Sequence, residues 1–151
     1  MPFNRLITRE NDLDPTKNLL QMAGADLMPN ALSDSTLVLT DCQMEYITGG
    51  VPLPGVADAL AEAGKVLARA RAANAQIVHI VHQGEAGGAF DLYGEGGQIA
   101  PQVAQADNEA IIRKGLPNAF AGTTLHENLQ QLDAKNLIFV GFMTHMCVSA
   151  S

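Results

Sequence analysis

The chain has 151 residues, is 47% hydrophobic and 17% charged, and carries a formal net charge of −7. Length and composition specify one globular domain with a real core and exclude a disordered chain. The acidic balance argues against a nucleic-acid partner, which needs a basic face to meet phosphates, and no run approaches the ~18 consecutive apolar residues of a membrane span.

Residues 1–34 read as an N-terminal extension and 35–151 as the domain. Met1 to Asp14 contains Arg5 and Arg9 but no apolar h-region, so no signal peptide is expected. Asp14-Pro15 is a helix-start signal, and Leu19, Leu20 and Met22 offer a short apolar face to pack on the domain or on a partner subunit. The two cysteines, Cys42 and Cys147, lie far apart. Without a secretion signal, reduced thiols are the default, and a cytoplasmic location follows.

Thr36-Leu37-Val38-Leu39-Thr40 is apolar without alternation, the pattern of a parallel strand covered on both faces. It runs into Asp41-Cys42-Gln43-Met44-Glu45-Tyr46 and a loop rich in Gly and Pro. Val56, Leu60, Ala63, Leu67 and Ala70 form one stripe at steps of four and three, which predicts a helix over 56–73 ending at Asn74. Gln76 to His82 is a second strand, so strand, helix and strand make a parallel βαβ unit. Residues 83–98 hold six glycines, as expected of a flexible lid or a subunit contact. They do not complete a dinucleotide-binding fingerprint. Glu109 to Lys114 is a third strand. Thr124 and Glu127 have capping-box spacing before a short helix carrying Leu125, Leu129 and Leu132. Asn136 to Val140 is a fourth strand, followed by Gly141-Phe142-Met143-Thr144-His145-Met146-Cys147-Val148.

In an open parallel sheet, ligands bind beyond the carboxyl ends of the strands. Asp41, Lys114 and Cys147 each stand at or just past such an end. Cys147 as a thiolate is a nucleophile, favoured by a cation such as Lys114 and by the N-terminus of a helix starting at Val148. Asp41 is placed to take the thiol proton and return it to a leaving group or activate water. Spacing alone leaves the ordinary roles open: Asp41 as a turn cap, Lys114 as a solvated strand end, Cys147 as core.

Three segments carry a resemblance. Asp41-x-Gln43-x-x-Tyr46 after an apolar strand resembles the opening motif of the isochorismatase-like hydrolases, or cysteine hydrolase superfamily. Lys114-Gly115 with Asn118-Ala119-Phe120 and Thr123-Thr124-Leu125 is similar to that family's lysine segment. Gly141 to Val148 resembles its G-x-x-T-x-x-C-V signature. The resemblance covers about residues 35–151. It implies a Rossmann-like, three-layer α/β fold with a parallel sheet and a catalytic set of Asp41, Lys114 and Cys147. It further implies a cis peptide at Phe142–Met143 and an oxyanion hole from the backbone N–H groups of Met143 and Cys147. Tyr46 matches a position lining the substrate pocket, and His82, at a strand end, is expected to touch it.

The implied activity is hydrolysis of a small amide or carbamoyl substrate through an acyl-thioester. The alternatives are isochorismatase-type vinyl-ether hydrolysis with Asp41 as acid, and a catalytically silent binding or assembly module of the same fold. No cofactor is expected. The metal motif of the family's nicotinamidases is absent, because its place reads His82-Gln83-Gly84. The expected partners are a small-molecule substrate and further copies of the chain in a homo-oligomer. His79 is expected to be hydrogen-bonded core, Cys42 core, His126 helix surface and His145 a support of the signature turn. Family members continue past the nucleophile with a helix and more strands, so the C-terminal part of the domain is expected to lie outside this sequence.

Overall fold

The computed structural model describes residues 18–25 and 27–151. Four strands, β1 (Thr36–Thr40), β2 (Gln76–His82), β3 (Ala110–Lys114) and β4 (Leu137–Gly141), form one sheet in the order β3-β2-β1-β4, with every pair parallel. The first two strands lie inside the sheet, and every residue of β1 is buried. That is why β1 reads as an unbroken apolar run: neither face meets water.

Alternate residues of β1, β2 and β4 feed two cores, one on each side of the sheet, and β3 feeds one of them. Leu37 and Leu39 of β1 pack with Ile77 against α2 (Val56–Ala72), whose buried stripe is Leu60, Ala63, Leu67 and Ala70. Fully burying Leu60 and Leu67 contributes about 2 kcal/mol each. Val38, Val78, Ile80 and Ile112 pack on the other side against Leu125 and Leu129 of α3 (Leu125–Gln131). The result is the expected three-layer α/β arrangement. Asn74, at φ 55, turns the chain out of α2 in a left-handed conformation that Asn tolerates better than most residues.

Some local expectations are corrected. The capping box at Thr124 does not form, because Thr124 (φ −94, ψ 16) lacks the extended backbone that an N-cap needs. The Thr123 hydroxyl accepts from the Leu125 N–H instead, at 3.2 Å. The Asp14-Pro15 helix start lies outside the described residues. A one-turn helix, α1 (Leu19–Met22), is present and is closed by Asn18 and Gln21, but Leu19, Leu20 and Met22 remain exposed rather than packed on the domain. No helix among the described residues is long and apolar enough to cross a membrane.

The glycine-rich segment is more tightly built than its composition suggests. Its backbone bonds to the turn after β1: Met44 N–H to Gln98 at 2.8 Å, Glu45 N–H to Gly96 at 2.8 Å, and Ala100 N–H to Cys42 at 2.8 Å. Here glycine permits close approach more than flexibility. A Cβ on Gly84 would sit 1.9 Å from the Ala89 carbonyl, and one on Gly97 would sit 2.1 Å from the Asp91 carbonyl.

Candidate active site

The carboxyl ends of all four strands meet along one edge of the sheet, and each contributes a polar or reactive group. After β1, Asp41 adopts a left-handed conformation (φ 51). Its N–H donates to Ile80 at 2.9 Å and its carbonyl accepts from Gln43 at 2.8 Å, so the turn is fixed at both backbone groups. Lys114 ends β3 opposite His82 of β2. Its side chain crosses beneath β2's end to place Nζ 2.8 Å from Asp41 Oδ2, and both side chains are fully buried.

That ammonium also lies 3.3 Å from His82 Nδ1. An ammonium has no lone pair, so Nδ1 must accept, and a neutral ring then carries its proton on Nε2. The His82 pKa is lowered first by burial and then by the Lys114 charge, against a weaker pull from Asp41, which agrees with a neutral ring. Neither Asp41 oxygen has a well-aligned hydrogen bond among the described residues. Charge therefore holds the carboxylate to Lys114, and its lone pairs remain available to a third group.

Cys147 is that third group. It is buried, and its pKa is raised first by burial and then by the hydrogen-bonding pull and charge of Asp41; Lys114 acts in the opposite direction. Burial and Asp41 thus favour the thiol form over the thiolate. The helix expected to begin at Val148 begins earlier: Thr144–Val148 is a single π-type turn and Cys147 lies inside it. The Met143 carbonyl accepts from Met146 at 3.0 Å and from Val148 at 3.3 Å, passing over Cys147. The wide turn leaves the Cys147 N–H out of that pairing. Ser151 ties the turn down by donating to the Cys147 carbonyl at 2.8 Å and accepting from Ala119 N–H at 2.9 Å. The Phe142–Met143 peptide is cis. Gly141 (φ 134) is required where β4 turns away, because a Cβ there would meet the Thr40 carbonyl at 1.9 Å.

Tyr46 is buried, 5.2 Å from the ring of Phe90 and 5.7 Å from that of Phe142. Its pKa is raised by burial and then by Asp41 and Cys147, so the phenol shares their surroundings. A cleft of about 410 Å³ opens beside Lys114, lined by His82, Gln83, Gly84, Glu85, Arg113 and Gly115. Among the described residues no three His, Cys, Asp or Glu side chains are grouped to hold a metal ion.

The remaining singled-out residues lie elsewhere. His79 is buried on the α2 side, 2.8 Å from Glu109, which Arg71 also grips. Cys42 is core, and burial followed by the Asp41 charge pushes its thiol up to about 12. His126 and His145 are exposed. Three functional neighbours went unassigned in the sequence. Gln43 is fully buried; its side chain donates to the carbonyls of His82 and Gly97, both at 2.9 Å, and accepts from His82 N–H at 2.8 Å. Glu45 is a buried carboxylate, and Phe90 joins the aromatic wall. The motif flagged Gln43, but nothing periodic marks a single Phe among glycines.

A family model for the isochorismatase domain matches residues 35–151. The chain belongs to the isochorismatase-like hydrolase superfamily. A solved isochorismatase from Pseudomonas putida KT2440 is 40% identical, superposes with a TM-score of 0.81, and shares 87% of this chain and 68% of its own. A secreted isochorismatase effector of Verticillium dahliae is 34% identical over 133 residues, 86% of this chain and 69% of that protein. A streptothricin hydrolase of Streptomyces noursei is 30% identical over 115 residues, 76% of this chain and 46% of that protein. The chain therefore spans about two thirds of the first two relatives and under half of the third.

Proposed function

We propose that this isochorismatase-family hydrolase cleaves the C–N bond of a small amide or carbamoyl compound, with Cys147 as nucleophile. The observation that carries the reading is the buried Asp41–Lys114 pair at 2.8 Å, with both partners acting on the Cys147 sulfur. A thiol held protonated at rest needs a base at the moment of attack, and Asp41 is that base. As the sulfur adds to the carbonyl carbon, its proton passes to Asp41. The Met143 and Cys147 N–H groups receive the oxyanion, a type of donor whose loss costs about 10²–10³ in rate.

Collapse of the tetrahedral adduct breaks the C–N bond, and Asp41 returns the proton to the departing amine. The resulting acyl-thioester is hydrolysed by a water that Asp41 deprotonates, freeing the acid and restoring the thiol. Lys114 holds Asp41 in place by charge and does not exchange protons. A silent module has no use for a buried charged pair against a thiol, which favours the enzymatic reading. A streptothricin hydrolase among the relatives supports hydrolysis as the general chemistry.

The test is intact-mass detection of a covalent acyl adduct on the full-length protein across an amide and carbamate panel. The expected result is an adduct on Cys147 and loss of both adduct and turnover in Cys147→Ser. Unchanged turnover in that variant would overturn the reading.

A further inference from the structure

Four rings run in sequence along the site edge. His82 and Phe90 meet edge to face at 5.1 Å, Phe90 and Tyr46 edge to face at 5.2 Å, and Tyr46 and Phe142 at 5.7 Å. The row starts at the histidine that touches Lys114 and ends at the residue that leads into the cysteine turn. Phe90 bridges the gap between β2 and the turn after β1, and it is the one ring of the four supplied by the glycine-rich segment.

Its backbone is held against its own preference. Phe90 has φ 59, a left-handed conformation that is an outlier for a bulky residue. Its N–H donates to Glu45 Oε2 at 3.2 Å, and its carbonyl accepts from Gly84 N–H at 3.1 Å. The other Glu45 oxygen accepts from Gly50 N–H. Glu45 is buried, and a Cβ on Gly96 would fall 2.1 Å from its Oε2, so the glycines make room for the carboxylate. One acidic side chain thus fastens two loops and sets the ring between them.

We propose that Phe90 is a specificity-determining residue that limits the size of the group carried next to the scissile bond, and that Glu45 is its positioning residue. The substrate class is then a compact amide, with bulky N- or acyl-substituents excluded by the ring row. The proposal rests on Cys147 being the nucleophile beside this row, as in the function proposed above.

The test reads accessibility of the thiol, which needs no turnover. Cys147 is alkylated with iodoacetamide or with its bulky N-phenyl analogue, and peptide mapping separates it from Cys42. In the wild type the N-phenyl reagent is expected to lag. Phe90→Ala should raise the ratio of N-phenyl to parent rate by about tenfold or more, the scale on which a pocket rejects added bulk. Phe90→Leu should raise it less.

Glu45→Gln should also raise the ratio, because an amide has one acceptor oxygen where two N–H donors must be met. A Glu45→Gln variant with a lower melting temperature but the wild-type ratio would overturn the positioning role. An unchanged ratio in both Phe90 variants would overturn the size limit, even if amide turnover is found. A raised ratio without turnover of any amide would leave the wall standing and sink the amidase reading.

Discussion

Lys114→Met removes the cation from the Asp41 pair while keeping a linear apolar stem of similar length. Two unit charges 2.8 Å apart attract by about 6 kcal/mol at an effective dielectric of 20. Removing both from water offsets much of that gain, so the net worth of the pair is small. Leaving one partner alone is a different matter. With Lys114 gone, Asp41 is a fully buried carboxylate without a compensating charge, which costs about 3–5 kcal/mol. Asp41→Asn strands the ammonium in the same way.

The double variant Asp41→Asn, Lys114→Met carries no charge at either position and is expected to recover most of the loss, so that its destabilisation falls below that of either single variant and far below their sum in a double-mutant cycle. Urea unfolding followed by circular dichroism reads this directly, with the slopes compared to check that all four proteins unfold alike. All three variants are expected to be inactive, which separates the stability of the pair from its chemical use. Additive losses, with the double variant less stable than either single one, would refute the claim that the two groups form one buried ion pair.

Two further predictions concern titration. Alkylation of Cys147 should rise with pH through an inflection above the ordinary thiol value of 9.0; Asp41→Asn should move it down and Lys114→Met should move it up, read by mass spectrometry of timed iodoacetamide labelling. On the α2 side of the sheet, burial works to raise the Glu109 pKa but is outweighed by hydrogen bonds from Arg71, Ala106 N–H and His79, which hold it at about 2 against an ordinary 4.5. A depressed carboxylate stabilises the fold fully above pH 4.5 and loses that contribution as pH falls through 2. His79, lowered chiefly by burial, resists protonation and adds to the loss below pH 6.5. Glu109→Gln should flatten the acid limb of the melting temperature between pH 4.5 and 2.

Much of the framework was legible because burial writes itself into the order of residues. Leu37 to Leu39 are continuous because β1 is covered on both faces, and α2 spaces Leu60, Ala63, Leu67 and Ala70 at steps of four and three because one stripe meets the sheet. The order of strands and helices then selects a parallel sheet, whose carboxyl edge gathers Asp41, Lys114 and the cysteine turn. Topology brought these groups to one edge, and the resemblance of the three segments to the isochorismatase-like hydrolases named them as the candidate site.

What the tertiary structure alone decided is the state of those residues. The upward shift of the Cys147 thiol depends on burial and on the nearness of Asp41, neither of which is a property of local sequence. The π-type turn starts at Thr144 because Met143 pairs with Val148, a spacing no periodicity announces in five residues. Thr123 displaced Thr124 as the capping side chain because the backbone angles, not the spacing, choose the cap. Gln43, Glu45 and Phe90 take their roles from partners up to 54 residues away. Sequence determined which groups arrive at the sheet edge. Only three-dimensional packing determined their burial and the partners that surround them, because each depends on long-range neighbours and on exclusion of water.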